Sequence, residues 1–282
     1  MNTILKPILK PLLGAIVVAG AFNAAQAASL GYLDHLGYGA YNAVTGASLE
    51  TDALGDLSTP PSQVTLVGAN AFESPVTGGV LSHSYAADAF IDFAAAKTDL
   101  WMSLSHSLAT NAGPAFDVAS HQQDVAIDLA AVHMRILGDA GEAPGSAVMV
   151  SFTGNASALT DFSSIVNGSY LTLGLSVSRG DEVLGEYLWD VQSSADQNIQ
   201  FSFSGQVGDA LTLSAFIVSG VALDHASFGA SANPITLAEG FGAINGSFAV
   251  AAVPEPETFA LLLAGLGVVG IQLRRRRNSQ RR

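Results

Sequence analysis

Between Val125 and Ile217 runs of strict apolar–polar alternation with a period of two recur, and this pattern restricts the fold more than any other in the chain. Leu171, Leu173, Leu175 and Val177 alternate with Thr172, Gly174, Ser176 and Ser178. Ile199, Phe201 and Phe203 repeat the pattern, as do Leu211, Leu213, Ala215 and Ile217. A period of two puts successive side chains on opposite faces, which is the signature of half-buried antiparallel strands. Val125, Ile127 and Leu129 hold one parity, and Val132, Met134 and Ile136 hold the other. A β-bulge near Ala130–Ala131 accounts for the flip. Turn signals fall between the runs: Arg179-Gly180-Asp181, Gly205 to Asp209, and Asn167-Gly168 ahead of Tyr170. Asn245-Gly246 lies between two apolar runs and reads as a two-residue hairpin. The Gly- and Ala-rich stretch Gly37–Pro61 reads as a loose lead-in loop. The expectation is an all-β, antiparallel β-sandwich of jelly-roll-like build over residues 28–252. About 225 residues are enough to bury one core.

Charge is segregated along the chain. Of 11 basic residues, Lys6 and Lys10 lie at the start, and Arg274 to Arg277 with Arg281 and Arg282 lie at the end. Between Lys10 and Arg274 stand three basic residues, Lys97, Arg135 and Arg179, against all 24 acidic ones, a formal charge of −21. Such a surface repels a phosphate backbone, so nucleic acid is not an expected partner. The chain has no Cys, which excludes a disulfide scaffold, thiolate metal sites and a cysteine nucleophile.

Both ends read as targeting segments. At the start, Lys6 and Lys10 precede the apolar run Leu12 to Phe22, and Ala25-Gln26-Ala27 supplies the small residues a signal peptidase inspects. Residues 1–27 are therefore read as a secretory signal peptide, cut after Ala27, with the Sec translocon and signal peptidase as partners. At the end, Val253-Pro254-Glu255-Pro256-Glu257 is an extended linker, because proline restricts itself and the residue before it. An apolar run from Thr258 to Leu273 follows, then Arg274-Arg275-Arg276-Arg277. The run is about 16 residues, short for the roughly 20 of a full span, and the arginines hold its end on the cytoplasmic side.

Pro254-Glu255-Pro256, a span rich in Leu, Ala and Gly, and a terminal Arg cluster, in that order, resemble the PEP-CTERM sorting signal. The resemblance covers residues 253–282. It implies export, transient anchoring in the inner membrane, and recognition by an exosortase, a transpeptidase-like membrane enzyme that removes the tail. It also implies an exopolysaccharide-producing Gram-negative source, with release to the cell surface or extracellular matrix. The signal is modular and implies nothing about residues 28–252.

Candidate chemistry in the middle is sparse. Glu182, Glu186 and Asp190 share one strand parity, so they are expected on one face, where carboxylates can serve a glycosidase or bind Ca²⁺. Leu184 and Leu188 interrupt that face, and Val183, Tyr187, Trp189 and Val191 read as core. Trp101 has the opposite parity from its apolar neighbours Leu100, Met102 and Leu104, which turns it outward as a sugar-stacking candidate. His121, Asp124, Asp128 and His133 form a candidate metal set, although a bulge would turn His133 and Arg135 to solvent. His83, Asp88 and Asp92 are a weaker set. Acidic turns such as Asp181-Glu182 and Gly208-Asp209 can hold weak extracellular Ca²⁺, and no other cofactor is expected. No Gly-x-Ser-x-Gly, His-Glu-x-x-His or P-loop occurs. Three function classes follow: a non-catalytic surface or matrix protein, which is favoured, a carbohydrate-binding module, and a jelly-roll glycoside hydrolase.

Overall fold

A computed structural model describes residues 28–45, 49–54, 62–74, 76–94, 97–138, 143–162, 168–253 and 263–266. Twelve strands run in chain order: β1 (Ala28–Thr45), β2 (Leu49–Leu54), β3 (Ser62–Glu73), β4 (Val80–Ala94), β5 (Lys97–Thr110), β6 (Phe116–Gly138), β7 (Ala147–Phe162), β8 (Gly168–Arg179), β9 (Glu182–Asp190), β10 (Ala195–Gln206), β11 (Ala210–Phe228) and β12 (Ile235–Ala252). They form two six-stranded sheets, ordered β2-β1-β6-β11-β8-β9 and β10-β7-β12-β5-β4-β3. Every pairing is antiparallel. These are called the first and second sheets below.

The last eight strands follow a simple rule. β5 pairs β12 and β7 pairs β10 in the second sheet, while β6 pairs β11 and β8 pairs β9 in the first. The chain from β5 to β12 is one long antiparallel hairpin rolled so that successive strand pairs alternate between sheets. That is the jelly-roll topology. β1 and β2 extend the first sheet beyond β6, and β3 and β4 extend the second beyond β5.

The alternating residues fill the space between the sheets. Leu171, Leu173, Leu175, Val177, Leu211, Leu213 and Ile217 are all buried. Each such side chain contributes about 1.5–3 kcal/mol through lost water contact. Phe152, Phe201 and Phe248 form an aromatic cluster, with Phe152 4.7 Å from Phe248 and 5.4 Å from Phe201 between ring centres.

The bulge in β6 is present. Ala131 has φ of +50°, and the β6–β11 register slips there, between Leu213 and Ala215. Ser214 Oγ accepts a hydrogen bond from the Ala131 amide at 3.3 Å. Val132, Met134 and Ile136 are fully buried, and Arg135 faces solvent.

Two local expectations are corrected. Asn245-Gly246 is not a turn: β12 runs straight through it, with Gly246 paired to Gly154 and Leu100 on either side. The glycine is there for space, since a Cβ on Gly246 would lie 2.5 Å from the Phe152 ring and 2.8 Å from the Thr153 carbonyl. The stretch Gly37–Pro61 is also not simply a loop, because β1 continues to Thr45 and pairs with both β2 and β6.

Candidate functional site

Small residues on two adjacent inner strands of the second sheet, β4 and β5, create a groove on its outer face. Outward positions of β4 carry Ser82, Ser84 and Ala86, and those of β5 carry Ser103, Ser105 and Ser107. Alternation puts these short side chains on the face opposite Leu104, Met102 and Ala87, which fill the core. Bulkier groups rise on both sides: Leu159 on β7 and Phe241 on β12 along one wall, Val67 on β3 along the other. All three are exposed, Val67 at 71%. The hollow between them is about 360 Å³. A second hollow of about 310 Å³ shares Ser84 and Ser107 with it and continues toward Ala69, Ala71 and Ala109.

Trp101 closes the other end of the β5 row. It is 37% exposed, with Asn245 and Phe90 as its register partners on either side. Asp88 lies one row nearer the groove and is held by Gln63 at 3.0 Å and Thr65 at 3.2 Å. Ser105 Oγ bonds the Ala86 carbonyl and Ser82 Oγ bonds Asn111. The hydroxyls of Ser84, Ser103 and Ser107 have no hydrogen-bond partner among the described residues.

Beneath the groove a polar layer cuts the interior. His83 on β4 and His106 on β5 point inward from the second sheet, and His121 and Gln123 on β6 with Ser219 on β11 point inward from the first; all five are buried. Gln123 donates its amide to His83 Nδ1 and also bonds His121. His106 Nδ1 lies 3.1 Å from Ser219 Oγ. The His83 ring stacks on Tyr85 at 5.3 Å and meets His106 edge-on at 4.5 Å. The layer divides two apolar clusters. Leu81, Leu108, Phe116 and Val221 lie on one side, and Tyr85, Leu104, Val125 and Ile217 on the other.

The layer is under-satisfied. Nε2 of His83, His106 and His121 is buried without a partner, as is Nδ2 of Asn70. Burial holds His106 down to about 4 and His83 to about 2, the latter helped by the other two imidazoles, and it lowers His121 as well. All three are neutral at pH 7. The Ser219–His106 pair has the composition of a nucleophile and base, but Ser219 is wholly enclosed. An imidazole held near 4 is also a poor base at neutral pH.

Other sequence candidates are dispersed. A register slip between Val177 and Ser178 puts Glu182 on a different parity from Glu186 and Asp190, which corrects the expected three-carboxylate face. Glu182 pairs with Arg179 at 2.9 Å, and Asp190 accepts from Thr172 at 2.9 Å. Val183 is exposed at 59% and is not core, whereas Tyr187 and Trp189 pack on the core. Trp101 lies in the second sheet and β9 on the edge of the first, so these carboxylates and Trp101 do not share a surface. The metal set around His121 is split: His121 points inward, while Asp124 points outward and accepts from Tyr170 at 2.8 Å. His133 also faces outward, against Asp34. His83 likewise points away from Asp88 and Asp92, one residue parity apart. Arg179 holds both Glu182 and Asp209, the latter at 3.0 Å, so each acidic turn already has a cation. Among the described residues no three His, Asp or Glu side chains converge on a metal position.

The groove and the polar layer were missed in the sequence. Their signal is there: Ser-x-Ser-x-Ser on β5, and histidines on the buried parity of β4 and β5.

The C-terminal end of the chain is identified by comparison. Residues 252–277 match the PEP-CTERM protein-sorting motif. The chain therefore carries this sorting signal, the mark of an exported protein handled by an exosortase. Of the expected motif residues, Pro254, Glu255, Pro256 and Arg274 to Arg277 lie outside the described residues, as do Ala25 and Ala27 of the expected signal-peptide cut. The described part of the tail is a single helical turn at 263–266. Among the described residues no helix is long and apolar enough to cross a membrane. No curated protein matches the chain. Among solved structures, it is similar to that of infectious bursal disease virus Gx strain, at 9% identity over 82% of this chain and 80% of that one, with a TM-score of 0.19. A VP2 subviral particle of the same virus gives 8% identity over 81% and 76%, with a TM-score of 0.18. Scores this low carry no weight for the fold, which rests on the strand order above.

Proposed function

We propose that this chain is a non-catalytic surface or matrix protein of a Gram-negative bacterium, exported with its exopolysaccharide. The sorting motif at residues 252–277 carries this reading. On it, the signal peptide takes the chain through the Sec translocon, and the apolar tail halts it in the inner membrane. An exosortase then cuts near Pro254-Glu255-Pro256 and releases residues 28–252. Two features support a structural or adhesive role. All twelve strands of the described residues end by Ala252, ahead of Pro254, so a cut near Pro254-Glu255-Pro256 removes none of them. The domain is also acidic, without the cationic patches that would bind it to a membrane surface.

The test is to express the chain in a host with its exosortase and in one lacking it, and to weigh the protein by mass spectrometry. Loss of the tail only in the first host is expected. Equal loss in both, or persistence in both, would overturn the sorting assignment.

A further inference from the structure

We propose that the outer face of the second sheet binds an uncharged linear polysaccharide, lying in the serine-floored groove and stacking on Trp101. This deepens the reading of an exopolysaccharide-associated protein and rests on it only for the biological setting.

Shape comes first. The groove runs along β4 and β5, so its occupant is extended. The two hollows join end to end from Ser105 to Ala109 on β5, and Trp101 stands on the same face four residues beyond Ser105. From Ala109 to Trp101 is eight residues, or about 26 Å at the rise of a strand, which suits a chain of several sugar rings and not a monosaccharide. Within the hollows, from Ser82 to Ala86 on β4 and Ser105 to Ala109 on β5, the outward side chains are no longer than serine, so a ring can lie close to the sheet. A flat sheet face has no free backbone groups, so an added β-strand has nothing to pair with there.

Chemistry narrows the class. A sugar ring offers an apolar face of C–H groups and a rim of hydroxyls. The face matches both: in the groove Phe241 and Leu159 supply apolar surface and Ser84 and Ser107 unengaged hydroxyls, and beyond its Ser105 end Ser103 and Trp101 continue the same pattern along β5. Asn245 puts an amide beside Trp101.

Charge decides between kinds of polymer. Outward positions on this sheet include Asp88, Asp92, Asp99, Asp161, Asp196 and Glu239. Against them stands Lys97, already paired with Asp99 at 3.0 Å. Residues 28–252 hold 22 carboxylates and three basic side chains. A polyuronate or a sulfated glycan would be repelled from such a face, whereas a neutral glycan meets no penalty.

The experiment titrates the full chain in mild detergent by calorimetry, with cellohexaose and mannohexaose as neutral probes and a hexauronate as the anionic one. One neutral probe is expected to bind at one site per chain, and the hexauronate at least tenfold more weakly. Trp101→Ala should weaken binding at least tenfold, and Ser105→Tyr, which fills the groove, should abolish it. Ser84→Tyr serves the same purpose should Ser105→Tyr fail to fold, with the β-type circular dichroism as the check. Three outcomes overturn the proposal: neither neutral probe binds, both groove-filling variants bind as well as the parent, or the hexauronate binds best. A concentration-dependent dimer in ultracentrifugation that Ser105→Tyr dissociates would assign the groove to a second copy and overturn it too. None of these readouts passes through export, so a failed titration leaves the sorting assignment standing, and failed tail removal leaves the titration intact.

Discussion

At the scale of single residues, the buried histidines have the clearest consequence. Their folded values lie below the ordinary 6.5, about 4 for His106 and about 2 for His83. The unfolded chain therefore takes up protons below pH 6.5 that the folded chain refuses. Stability is complete above that value and is lost as pH falls through the window from 6.5 toward 4 and below. The groups facing the imidazoles are Gln123, Ser219 and Tyr85, so no carboxylate in these contacts offsets the charge. The slope approaches about 1.4 kcal/mol per pH unit for each histidine. Urea midpoints at pH 7.5 and 5 should differ accordingly, and His106→Gln should flatten the difference; an unchanged midpoint would refute this account. Ala131 makes a second residue-scale case. Its φ of +50° is one that L-residues disfavour by about 1–2 kcal/mol. Ala131→Gly should leave stability equal or raise it by up to about 1 kcal/mol, and Ala131→Val should lower it by about 1–2 kcal/mol in the same titration.

At the scale of the element, β12 shows how a strand can contain a strong turn dipeptide and remain straight. Gly246 sits in register with Gly154 of β7, and a Cβ on Gly154 would lie 2.2 Å from the Asn245 carbonyl. The two glycines let the strands close up beneath the Phe152 ring. Gly246→Ala should cost about 1–3 kcal/mol, as overpacking in a filled core does. Denaturant unfolding would measure it, and a cost below a few tenths would mean that the ring simply moves aside. The turn after β8 is different in kind. Gly180 has φ of +58°, so Arg179-Gly180-Asp181 is a tight connection, with Arg179 tying Glu182 and Asp209 together from its first position.

At the scale of the whole molecule, sorting and folding are separate. Every strand among the described residues lies between Ala28 and Ala252, and the motif begins at 252. Replacing Arg274 to Arg277 with neutral residues should weaken membrane orientation, because positive charge holds the cytoplasmic end. Replacing Pro254-Glu255-Pro256 with alanines should leave orientation intact and block cleavage. Protease accessibility in spheroplasts reads the first effect, and mass spectrometry reads the second. The β-type circular dichroism should be the same in both variants; a change in it would mean that the tail belongs to the folded domain.

Sequence alone was enough for the alternating strands between Val125 and Ile217, the bulge and the sorting motif, because each is written in adjacent residues, whereas it misread β1, β2 and the middle of β12. Alternation at 171–177 and 211–217 reports which side of a strand meets the core, and the parity flip after Ala131 reports the bulge. The PEP-CTERM signal is equally local. What lies between strands was not legible in the same way. His83, His106, His121 and Ser219 sit far apart in the chain and meet only because β4 and β5 face β6 and β11 across the sandwich. The groove likewise needs Val67, Ser105 and Phe241 on three strands of one sheet. The misread glycine at 246 has the same origin. A dipeptide states which backbone shapes are allowed, and only the ring of Phe152, brought over from another strand, decided that the space and not the turn was used.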